Sequence, residues 1–285
     1  VSLPEPGDLF LGRADQVACF VLVELRLSGA PFQSLVRNPL VSPDIIGITH
    51  GASAAGVVGV VCLGISGPAL TAFVGTGGLG AAAVIHLLAW RGGVVGYRFP
   101  LTGIGVAALA TSVVSWGLTQ NDVRDTQVAL TWITGSLARA DWPTPNPLLG
   151  CAGMLVPALA VSGGRLRSLE LGDDPAAALG VPVERSRLWL SSVSVALAAS
   201  AVAVTGPVAF VALVSAPIAR RTVGAGRLGL VPATLVGAVT MLASELIAQF
   251  TIPETTLPVD VVTGVVGAPY PLWLLMRTNR SGAGG

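Results

Sequence analysis

Long apolar runs alternate with short polar connections along this chain of 285 residues. An α-helix rises 1.5 Å per residue, so about 20 mainly apolar residues cross the hydrocarbon core of a bilayer. Runs of that kind fall at 45–65, 68–90, 99–118, 188–204, 228–247 and 258–276. Two shorter runs cover 147–163, broken by Pro157, and 206–219, bracketed by Pro207 and Pro217. The pattern predicts an all-α polytopic bundle of about eight spans if both short runs cross. The alternative is that the short pair are broken or re-entrant helices buried in protein.

The polar positions give these runs a direction. Every one of the 16 basic residues is Arg. If connections alternate sides from residue 37 onward, Arg37, Arg91, Arg98, Arg165, Arg167, Arg185, Arg187, Arg220, Arg221, Arg227, Arg277 and Arg280 share one side. The other side receives Arg124 and Arg139. Such an asymmetry places the first set in the cytoplasm, and a miscounted crossing would have mixed the two sets.

Composition agrees with a membrane chain and narrows its chemistry. Hydrophobic residues make up 52% and charged residues 11%, against about 25% charged in soluble domains. A net charge of +1 offers no footprint for nucleic acid. Without Lys there is no phosphate-cradling G-x-x-x-x-G-K-[ST] loop and no Schiff-base chemistry. Cys19, Cys62 and Cys151 form no C-x-x-C and read as small apolar residues. His50 and His86 form no H-E-x-x-H, no metal or cofactor site is indicated, and no Ser/His/Asp constellation points to an enzyme. Glu5, Asp8, Arg13 and Asp15 make the opening residues unlike a signal peptide.

Three local features carry more. Gly47, Gly51, Ala55 and Gly59 recur every four residues and form a small-residue face suited to close helix packing inside the bundle. His50 sits beside that face with no acidic neighbour in the sequence, and His86 falls near the cytoplasmic end of its run. The connection 164–187 reads GRLRSLELGDDPAAALGVPVERSR: Asp173 and Asp174 before Pro175 predict an N-cap and first turn, and Gly180 predicts the stop. That short helix is either a knob for a partner protein or a tidy loop. In the external connection 119–146, Trp132 and Trp142 suit the membrane–water boundary.

The run RNPLVSPDIIGITHGAS at 37–53 resembles the RNPL-x-x-P-x-x-LG-x-x-x-GA signature of FecCD-type permeases. TGSL (134–137), LGDDPAAALGVPVERSR (171–187), GPVAFVALV (206–214) with IAR (218–220), and LPVDVVTGVVGAPYPLWLL (257–275) follow in the family's order. The resemblance implies a membrane subunit of an ABC importer for iron–siderophores, haem or vitamin B12, in the plasma membrane. It further implies a homo- or heterodimer with a second permease subunit, a separate ATP-binding subunit, and a substrate-binding lipoprotein. The segment 171–187 then corresponds to the coupling helix, with Asp173, Asp174, Ala176, Leu179, Gly180 and Val181 at the ATPase. Asn38 and Leu40 match the cytoplasmic gate, Gly96 and Tyr97 a second gating element, and Arg26 a docking residue for the binding protein. The domains expected are an irregular N-terminal segment 1–36, a permease domain 37–276 and a tail 277–285.

Departures from the family pattern shape the remaining expectations. The family has ten spans; here the chain starts in what resembles the external segment after the first. Glu24-Leu25-Arg26-Leu27 runs directly into Ser28-Gly29-Ala30, which suggests an internal loss of about 15 residues, one bilayer crossing. Ten residues between Arg26 and Arg37 reach about 15 Å as helix, half a crossing. A span through 17–36 would put Glu24 and Arg26 at mid-membrane, so the expectation is a cytoplasmic N-terminus with 17–27 on the membrane surface. Gln249 and Asp260 stand where the family has Arg and Gly, and the family's P-H-I-A-R reads Ala216-Pro217-Ile218-Ala219-Arg220. The favoured function is a permease for a ferric siderophore or related chelate. The rivals are a transport-inactive relic, which the missing span would favour, and an unrelated secondary transporter, whose ionisable groups Glu245 and Asp260 lie only near span ends.

Overall fold

The computed structural model describes residues 47–89, 98–120, 146–208, 230–250 and 258–267, with shorter pieces between 24 and 35, between 126 and 135, and at 218 and 269. Among the described residues the elements are helical and none is a strand. In chain order they are α1 (Ile48–Val61), α2 (Gly67–Ala89), α3 (Arg98–Thr119), α4 (Asn146–Val161), α5 (Gly163–Leu171), α6 (Asp173–Ala178), α7 (Val183–Thr205), α8 (Leu230–Phe250) and α9 (Val259–Gly267). The all-α expectation holds. Among the described residues, α2, α3 and α7 are long and apolar enough to cross a membrane, with shorter apolar helices at Ile48–Val61, Gly150–Val161 and Leu235–Ala248.

Three boundaries differ from the apolar pattern for local reasons. The run 45–65 yields a helix of only 14 residues, because Gly47 enters at φ 90 and Gly64 leaves at φ 61, both outside the right-handed helical region. At about 21 Å this helix is shorter than the hydrocarbon core. Pro157, expected to break its run, lies inside a continuous α4, as prolines in membrane helices are tolerated. At the far end of α7, Gly206 turns at φ 75 and residues 206–208 leave the helix.

Helix α7 forms the middle of the bundle. Of its most apolar window 67% is buried, against 28% for α2 and 17% for α3. Near the Arg-rich end its Leu190, Val193 and Leu197 pack with Leu159 of α4 and with Leu166 and Leu169 of α5. Further along, Val202 packs with Ala52, Leu70 and Val74. Lipid tails are as apolar as leucine, so tight dispersion contacts rather than release of water hold such helices together within the bilayer.

Small residues set the distance between α1 and α2. A Cβ added to Gly51 would strike the Cβ of Ala81, and one added to Gly77 would strike the Cβ of Ala55. Gly59 meets Leu70 and Phe73 of α2, while Gly47 meets the backbone of Gly103 and Ala107 in α3. The whole four-residue face is therefore consumed by packing inside the bundle. His86 packs edge-on to Phe99 with centroids 6.1 Å apart, and Phe99 stacks on Phe32 at 5.8 Å.

The N-terminal part corrects the surface-lying expectation. Described residues between 24 and 35 are helical, and those from Glu24 to Gln33 are buried. Leu27 joins the α4–α5–α7 cluster, and Phe32 joins Ile48, Ile85 and Phe99. The Glu24 carboxylate, 0% exposed, accepts a hydrogen bond of 2.9 Å from the Ser200 hydroxyl of α7. A helix on the membrane surface would keep a polar face in water. Here apolar side chains on the same stretch key into two clusters, and protein rather than lipid surrounds the carboxylate.

Candidate functional site

Helix α5 is amphipathic: Leu166 and Leu169 turn into the bundle while Arg165, Arg167 and Glu170 are exposed. Gly172, at φ 125 and ψ 166, then redirects the chain into α6. Asp173 and Asp174 were expected to cap this helix through their side chains. Gly172 takes the cap position instead, with no side-chain cap hydrogen bond, and both aspartates fall in the first turn. The negative charge still complements the helix N-terminus there. Asp173 reaches across to α7, where Oδ1 accepts a 2.7 Å hydrogen bond from Arg187.

The exit is closed by backbone bonds. The Val181 N–H donates to the Ala176 carbonyl at 3.0 Å and the Gly180 N–H to the Ala177 carbonyl at 2.9 Å. With Gly180 at φ 77, this is the paired-bond stop in which a left-handed residue satisfies the last carbonyls of a helix. Ala176 is 0% exposed, packed with Leu166, Leu169 and Leu190, and Val181 packs against the same cluster. Ala176, expected at the partner surface, is therefore the anchor of the turn. The outward face comprises Asp174, Ala177, Ala178, Leu179 and Gly180, with Leu179 64% exposed. The result is a braced knob with an apolar tip.

The other expected site residues, Asn38, Leu40, Gly96, Tyr97 and Arg26, lie outside the described residues, as do Trp132, Trp142 and Ala216. The flanking Glu24 and Leu27 are buried. Two motifs distant in sequence do meet. Gly135 of TGSL, at φ 53, lies against the Pro207 carbonyl of GPVAFVALV so closely that any Cβ would strike it.

A cavity of about 290 Å³ opens beside this junction, lined by Thr49, His50 and Ser53 of α1, Thr111 and Val114 of α3, Ile133, Pro207 and Asp260 of α9. No linear spacing connects His50 with Asp260, so sequence reasoning found no acidic residue near the histidine. In the folded chain both line this cavity.

Membrane-length helices around a central α7, with an exposed braced turn on the Arg-rich side, define an all-helical membrane protein. The model of the FecCD transport family matches residues 13–277. The ferric enterobactin transport system permease protein FepG of Escherichia coli (strain K12) is 41% identical over 266 residues, covering 93% of this chain and 80% of that protein. The achromobactin transport system permease protein CbrC of Dickeya dadantii (strain 3937) is 36% identical over 288 residues, covering 98% and 82%. Among solved structures, an ABC transporter described as metal-chelate type, in an inward-facing conformation, superposes with a TM-score of 0.84 at 29% identity, covering 92% of this chain and 86% of that one. The chain belongs to the FecCD transport family.

Membership removes the unrelated secondary transporter as a reading.

Proposed function

We propose that this protein is the permease subunit of an ABC importer that carries a ferric siderophore or related iron chelate across the plasma membrane. It pairs with a second permease subunit, receives the chelate from a substrate-binding lipoprotein, and is driven by a separate ATPase. The observation that carries the coupling part is the knob: α6 is braced by Asp173–Arg187, anchored by Ala176 and stopped at Gly180, and it presents an exposed Leu179. An exposed leucine on a turn fixed by an ion pair and a buried anchor is a contact that a partner protein can take up.

In this reading ATP binding on the partner shifts the knob as a rigid body. The shift is passed through Ala176, Leu166 and Leu169 into α7, favouring one of two bundle packings. Asn38 and Leu40, with Gly96 and Tyr97, then open or close the cytoplasmic end. The chain performs no bond chemistry itself. The test is ATP-dependent uptake of a radio-iron chelate by proteoliposomes containing the permease, its ATPase and its binding protein. Uptake that Leu179→Asp abolishes, together with ATPase association in detergent, is the expected result. Unchanged association would overturn the coupling assignment.

A further inference from the structure

At the corner where α4 gives way to α5, an exposed apolar strip ends at two exposed arginines. Met154, Pro157 and Val161 follow at helical spacing along one side of α4, and all three are exposed, Met154 at 77% and Val161 at 88%. From Met154 to Val161 the strip rises about 10 Å, a third of a hydrocarbon core. Ser162 then turns the chain into α5, its N–H donating to the Leu159 carbonyl at 3.0 Å. Trp189 of α7 is tied to this corner: its Nε1–H donates to the Ser162 Oγ at 3.0 Å, while the side chain stays 48% exposed.

That bond sets a register. Ser162 opens α5 beside Trp189, and the chain returns through α6 to Val183 at the start of α7, so α5 and α7 run in opposite directions. Arg165 lies one turn beyond Ser162 and Arg185 one turn before Trp189, each on the face of its bonded neighbour. The two arginines therefore stand level across the Trp189 contact. Both are exposed, and neither makes a hydrogen bond or ion pair with a described residue, whereas Arg187 is held by Asp173. Glu170 and Glu184, the acids nearest them in sequence, have interactions of their own.

We propose that this corner binds an anionic phospholipid from the leaflet on the Arg-rich side, with the phosphate between Arg165 and Arg185 and an acyl chain along Met154, Pro157 and Val161. Guanidinium groups take phosphate oxygens through paired N–H donors. Tryptophan favours headgroup depth, so Trp189 marks where the membrane boundary crosses this face. A free phosphate would use the arginines and gain nothing from the apolar strip. A soluble partner protein could reach the arginines but not the strip, which runs from them into the span. Only a lipid complements both. The proposal goes beyond the import reading and does not need the coupling assignment.

The test is native mass spectrometry of the full chain, alone and with its ATPase, released from micelles holding equal amounts of phosphatidylglycerol and phosphatidylcholine with the same acyl chains. The unmodified protein should retain phosphatidylglycerol in preference. Arg165→Gln and Arg185→Gln should each lower that preference about fivefold, the usual contribution of one arginine to anionic-lipid binding. Arg167 is also exposed but lies two residues from Arg165, on another side of α5. Arg167→Gln removes the same charge and should change the preference by less than about twofold. A misfolded variant would lose both lipids rather than shift their ratio. No preference in the unmodified protein, or an equal loss in all three variants, overturns the proposal. Displacement of the phosphatidylglycerol by millimolar inorganic phosphate overturns it in favour of a free-anion site. Weakened ATPase association in Arg165→Gln, with the lipid preference intact, overturns it in favour of a protein contact.

Discussion

Around Gly180 there is open space, so a Cβ placed there would meet no neighbouring atom within 4 Å, yet the residue stands at φ 77. Its role is therefore conformational. Gly180→Ala should cost about 1–2 kcal/mol, the usual penalty for an L-residue in the left-handed region. Faster amide exchange at Gly180 and Val181, whose N–H groups close α6, is the measurement that checks it. Arg187→Ala removes the ion pair to Asp173, whose side chain is 49% exposed, so the loss should be only about 0.2–1 kcal/mol and should shrink in high salt. Leu179→Asp acts differently. At 64% exposure it changes stability by no more than about 0.5 kcal/mol, while putting a charge into any apolar contact with a partner. The stop at Gly180 was legible because glycine after an alanine run has one common use. The cap was misplaced by one residue because a glycine ahead of two aspartates can take the boundary itself.

At the scale of elements, α1 and α2 approach only as closely as their small residues permit. Gly77 and Gly80 lie on the same helix, yet an added Cβ on Gly77 strikes Ala55 whereas one on Gly80 meets nothing within 4 Å. Gly77→Ala should therefore destabilise the bundle by about 1–3 kcal/mol through overpacking. Gly80→Ala should be neutral or slightly stabilising, since alanine is favoured over glycine in a helix by about 1 kcal/mol. Thermal unfolding of the two variants in the same detergent checks the contrast; equal effects would show that α1 and α2 do not cross at these positions. The four-residue spacing made this face legible. Its consumption by two partners, α2 for three positions and α3 for Gly47, was not legible, because spacing gives no distance between helices.

For the whole molecule, the arginine asymmetry makes a prediction about sides. With Cys19, Cys62 and Cys151 replaced, Ser168→Cys should react with a membrane-impermeant thiol reagent only from the cytoplasmic side, and Ala140→Cys only from outside. Reaction of both from one side would overturn the map. The amino-acid pattern alone determined that the chain is a helical membrane protein, where its longest apolar helices lie, which connection carries the knob, and that it has no lysine for a phosphate-cradling loop. Those properties follow from local hydropathy, helix stop signals and missing residue types, all readable within a few turns of chain. Only the tertiary structure decided that Glu24 and Phe32 lie inside the bundle, that Ala176 faces inward while Leu179 faces out, that Gly135 meets Pro207, and that His50 shares a cavity with Asp260. Each of these depends on which helix faces approach one another, and in a bilayer that is settled by close packing and hydrogen bonds between distant segments rather than by the hydrophobicity of any one of them.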